Sequence, residues 1–77
     1  MRFAYAEATV LRLDTNEEFT ASVTFDEGVL SWRRVETPDV TEQVAVAHAW
    51  AEGKRWYLQD DDGVLRTVRR LGRCGCR

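Results

Sequence analysis

The side chains whose chemistry could make a site here are cysteine, histidine, aspartate and arginine, and their spacing limits what each can do. Cys74-Gly75-Cys76 places two thiols beside one another near the end of the chain. Such a pair could bind a soft metal, take part in redox chemistry or join two chains. A closed zinc site requires four ligands, usually as two separated pairs, whereas the chain offers two Cys and the single His48. A bridge across one glycine would close a small, strained ring, and a reducing cytosol keeps thiols reduced. The expectation is two reduced cysteines in a loose tail over residues 72–77, with no metal and no cofactor. Asp60-Asp61-Asp62-Gly63 lacks both the alternate-residue ligand spacing and the closing glutamate of a calcium loop, and reads as a hairpin turn. No nucleophile–base pair, glycine-rich phosphate loop or paired histidine motif is present, so the chain is expected not to be an enzyme.

Arginine is the more informative residue. Net charge is −2, yet all thirteen acidic side chains lie before residue 66, while Arg66, Arg69, Arg70, Arg73 and Arg77 follow with no acid among them. These arginines could hold phosphates while Trp32, Trp56 or Tyr57 offers a ring face to a base. Arg33 and Arg34 beside Trp32 could add a cation–π patch. A net acidic domain, however, repels polyphosphate through its own field. A protein partner is therefore the first expectation and single-stranded nucleic acid the alternative, with a homo-oligomer also open. The partner-binding residues expected on these grounds are Trp32, Arg33, Arg34, Trp56, Tyr57, Arg66, Arg69, Arg70 and Arg73. His48 and Trp50 read instead as parts of the scaffold, with Trp50 and Trp56 in the core.

These residues need a framework, and 77 residues allow one domain near the lower limit for a self-sufficient core. Three Trp, three Phe and two Tyr extend that core's reach. No apolar run approaches the roughly 20 residues that cross a bilayer. Glu7 and Arg12 interrupt any would-be leader, which makes a cytoplasmic, non-membrane protein the expectation. The arginine bias suits a GC-rich genome, and a small chain of this kind suits a phage or mobile element.

Alternation of apolar and polar residues predicts strands over Phe19–Phe25, Val29–Glu36, Arg55–Gln59 and Val64–Leu71. Residues 2–13 fit two readings: Ala4, Ala6, Ala8 and Val10 alternate as in a strand, while Phe3, Ala6, Val10 and Leu13 form a helical stripe. The strand is preferred because a turn and a clear strand follow. Turn residues at 14–17, 26–28 and 60–63 separate the strands. Between the third and fourth strands the chain reads as a helix over about 39–52. Thr37 or Asp39 caps it, Glu42 completes a capping box, and Gly53 stops it. Val40, Val44, Ala47 and Ala51 form one face at helical spacing. The expected fold is therefore a single α+β domain over residues 1–71. Its order is β-β-β-α-β-β, with one helix packed on a small antiparallel sheet or partly open barrel. The same order occurs in five-stranded oligonucleotide-binding barrels, an analogy of topology alone. The function that follows is a small non-enzymatic binding or adaptor module acting through a protein partner.

Overall fold

A computed structural model describes residues 2–71. The six strands are β1 (Phe3–Arg12), β2 (Glu17–Asp26), β3 (Val29–Arg34), β4 (Glu42–Glu52), β5 (Arg55–Asp60) and β6 (Leu65–Arg70). Each pairs antiparallel with the next, and β6 returns to β1 to close a barrel. At this seam Ala8–Arg12 run against Arg70–Arg66. Hydrogen bonds from Leu13 N–H to Leu65 O (2.9 Å) and from Leu71 N–H to Glu7 O (3.0 Å) extend it at both ends.

The expected helix is not there: among the described residues every regular element is a strand. The protein is all-β rather than α+β, and the barrel is closed rather than partly open. It also differs from the five-stranded oligonucleotide-binding plan, since six strands follow one another as a simple meander. The supposed helix is β4, which donates and accepts along two neighbours. Leu30 and Trp32 of β3 stand across from its Val44 and Glu42, and β5 lies on its other side. Alanine's helical preference is weak, and tertiary pairing overrides it. The residues that resembled a helix cap instead make the β3–β4 connection, with Thr37 N–H bonded to Arg34 O and Val40 N–H to Thr37 O. Gly53 does have the left-handed φ of 61° that a helix stop would use. It uses that conformation in the two-residue turn between Glu52 and Arg55, which pair directly.

Side chains fill the barrel. Ala8, Val10, Ala21, Val23, Leu30, Leu58 and Val68 are almost fully enclosed, with Phe25 and Trp32 close behind. Ala8 and Ala21 face each other across β1 and β2. Two methyl groups at one level leave room for larger residues from other strands, the alternation that small barrels require. At one end, Phe3 stacks between Tyr5 and Trp56 with centroids 4.9 Å from each, and Phe25 adds a tilted contact at 5.6 Å. The Trp56 indole N–H donates to the Tyr5 hydroxyl at 3.0 Å, so this aromatic plug also has its polar atoms satisfied.

Glu27 and Gly28 join β2 to β3 with φ values of 52° and 75°. Two positive φ angles in a two-residue hairpin mark a turn that favours Asn-Gly, and glutamate at the first position is strained by its Cβ. Replacing Glu27 with Asn should raise stability by about 0.5–1 kcal/mol, read as a higher midpoint in thermal or urea denaturation. An unchanged or lower midpoint would contradict this account of the turn.

Candidate functional site

The nine residues expected to bind a partner do not converge. Trp32 is 6% exposed and belongs to the core. Its indole N–H donates to Glu42 Oε2 at 3.2 Å, and the Arg66 guanidinium lies 5.5 Å from its ring. Arg34 donates to the same Glu42 oxygen at 2.9 Å and to Glu17 Oε2 at 3.0 Å, while its guanidinium stacks 3.9 Å from the Phe19 ring. Trp56 packs against the core from the aromatic end. Arg33 lies on the outer face, donating to Thr41 Oγ1 at 3.3 Å. It borders a shallow depression of about 260 Å³ with Ser22, Thr24 and Ser31. Arg73, Cys74 and Cys76 fall outside the described residues.

Arg66 is also structural. It enters the charged end of the barrel and meets Asp60 at 2.8 Å, with only 12% and 6% of the two side chains exposed. Asp60 accepts two further hydrogen bonds at Oδ1, from Asp62 N–H and Val64 N–H. Burial pushes this carboxyl upward, but the Arg66 hydrogen bond and the two backbone donors outweigh it. The net result lies below the ordinary carboxylate range. A carboxylate held this way organises the β5–β6 turn and is unsuited to act as a proton acceptor at neutral pH. Of the three consecutive aspartates, Asp60 alone is buried.

The outer face of β4, β5 and β6 is different. Trp50 and Tyr57 are cross-strand partners, and their rings stack at 5.5 Å with an interplanar angle of 8°. Trp50 remains 39% exposed, which corrects its expected place in the core. One step towards the β4–β5 turn, Arg55 and Arg69 stand directly opposite each other. Since Trp56 and Val68 point inward, both arginines share the outer face with Tyr57. Like charges placed opposite in a sheet destabilise it. Glu52 lies across from Arg55 on the other side, yet among the described residues neither arginine takes part in an ion pair. Exposed Lys54 and Arg70 extend the positive charge around this rim, with Arg70 on the inward-facing register. Tyr57 and Arg69 are therefore the two expected binding residues that the fold brings together on an exposed face. Trp50 and Arg55 complete the group. The clue to both lay in the sequence: a Gly53-Lys54 turn sets Trp50 against Tyr57.

No cluster of potential metal ligands occurs among the described residues, and no buried side-chain polar atom among them lacks a hydrogen-bond partner. The buried pair defines a pH dependence. Because the Asp60 carboxyl sits lower in the folded chain than in the unfolded one, its stabilisation is present above about pH 4 and is lost as pH falls through the folded-state value. Asp60→Ala should cost about 1–3 kcal/mol at pH 7 and flatten the acid limb of a stability–pH curve. Asp61→Ala and Asp62→Ala should each change stability by less than about 0.5 kcal/mol. Chemical denaturation of the three variants between pH 3 and 7 checks this, and equal losses at all three positions would refute it. No protein-family model, curated protein or solved structure matches this chain.

Proposed function

We propose that this barrel is a small non-enzymatic binding module acting through a protein partner, which it engages with the outer face of β4, β5 and β6. The observation that supports this reading is the Arg55–Arg69 juxtaposition beside the exposed Trp50–Tyr57 stack. Trp, Tyr and Arg are the residues over-represented at the energetic centres of protein interfaces. Two arginines kept face to face, with no ion pair to either among the described residues, carry a repulsion that an acidic segment of a partner would relieve. The arginines at the opposite, charged end of the barrel already have such relief: Arg12 pairs with Asp14, Arg34 with Glu17 and Glu42, and Arg66 with Asp60.

The stacked rings favour one second reading, single-stranded nucleic acid, in which a base stacks on Trp50 while Arg55 and Arg69 take phosphates. The two readings separate by salt and by ligand. Affinity capture from a lysate of the source organism, using the wild-type chain and a Trp50→Ala/Arg55→Glu/Arg69→Glu variant, should retain a protein on the first and lose it from the second. The Trp50, Arg55 and Arg69 changes together should weaken that complex at least about tenfold, with the thermal midpoint of the barrel little changed. Equal capture by both chains, or by neither, would remove the reading. Oligo-dT binding at low salt that collapses steeply as salt rises would favour nucleic acid instead.

A further inference from the structure

The barrel is closed, but β4 is only partly covered. Its pairing with β3 runs from Glu42 across Trp32 to Ala45 across Val29, and a last bond joins Val46 N–H to Gly28 O at 2.8 Å. Beyond that point β3 has ended. Among the described residues, His48–Glu52 pair with β5 alone and Ala47 sits in the bulge, so the second edge of this stretch faces outward. Five of the six residues are exposed and Ala49 is half-buried. Proteins usually blunt such an edge with lysine, proline or inward-pointing charge. This one reads Ala-His-Ala-Trp-Ala-Glu, with a bulge only at its inner end, between Val46 and His48.

We infer that this edge pairs antiparallel with the same edge of a second copy, forming a two-fold dimer centred on Trp50. The register follows from the side chains. His48, Trp50 and Glu52 point outward and Ala49 and Ala51 inward, so a two-fold axis must pass through one residue to keep the faces matched. With the axis at Trp50, the two indoles become cross-strand neighbours. Each His48 then meets the Glu52 of the other copy, where a ring N–H donates to a carboxylate, and Ala49 meets Ala51. With the axis at Ala49, His48 would face Trp50, and Glu52 would fall opposite Val46, whose N–H is already bonded to Gly28. Of these two registers the first is the complementary one. It also sets the two outer faces side by side, so the Trp50–Tyr57 and Arg55–Arg69 groups of both copies form one surface. The contact is small relative to a standard interface, so the dimer is weak and concentration-dependent.

Sedimentation equilibrium of the full chain in reducing buffer, from micromolar to millimolar concentration, tests this. The expected result is a reversible monomer–dimer equilibrium. Each contact occurs twice about the axis, so His48→Glu, which sets glutamate against Glu52, should weaken association about tenfold. The double change His48→Glu/Glu52→Lys should restore it. Circular dichroism of each variant confirms the barrel. A chain that stays monomeric throughout, or a dimer indifferent to the single change, overturns the inference. So does a single change that the compensating one does not rescue. A monomer that still captures a partner through Arg55 and Arg69 would overturn the dimer while leaving the proposed function intact.

Discussion

Everything in this fold depends on the seam where β6 pairs with β1. Without it the chain would be a six-stranded meander with two raw edges and an inner face of Val10, Val23, Leu30, Leu58 and Val68 open on one side. Closing the sheet on itself buries that face without a second layer and removes the edges at the point of greatest exposure. The seam's inward residues explain the choice of side chains. Ala8, Val10 and Val68 are short enough to let the two ends of the sheet approach, and the bulkier Leu30 and Trp32 of β3 fill the space from the far wall.

The two ends of the barrel then solve the same problem with opposite chemistry. One is plugged by stacked rings, in which Phe3, Tyr5, Phe25 and Trp56 supply large apolar area and one internal hydrogen bond. The other is sealed by charge pairs folded over aromatic faces, with Arg34 on Phe19 and Arg66 near Trp32. In such positions a guanidinium contributes its stem and plane to packing as much as its charge to an ion pair. Aromatic and arginine side chains thus have two uses in this protein. Those pointing inward build the barrel, and those pointing outward on β4, β5 and β6 remain available.

That division explains what could be read from the residues alone. The first strand was legible only by preference over a helix, whereas β2, β3, β5 and β6 were legible because alternation there is regular and the glycines fall where positive φ is needed. The fourth strand was not, for a geometric reason. A bulge at Val46/His48 shifts the inward register by one residue. Val44 and Ala51 therefore both face inward although they are seven residues apart, a separation that also suits a helix. The bulge between Tyr5 and Ala8 has the same effect in β1, where Phe3 and Val10 share both an inward face and a helical spacing. For the binding residues, charge and aromaticity were visible but orientation was not. Arg66 and Arg69 differ only in which side of the pleat they occupy. Trp50 could be placed on the surface only once its strand was recognised.

The connectivity carries one more consequence, for how the chain reaches this state. Five of its strand pairings join consecutive elements, so each closes over a short loop at small entropic cost. The sixth brings Ala8 to Arg70, and it is the only pairing that spans nearly the whole described chain. Folding can therefore proceed as a run of local hairpins that curl progressively, with a single long-range event at the end. Such a topology concentrates kinetic control in a few residues. Ala8, Val10 and Val68 at the seam should govern how fast the barrel forms, while the hairpin residues mostly govern how slowly it opens.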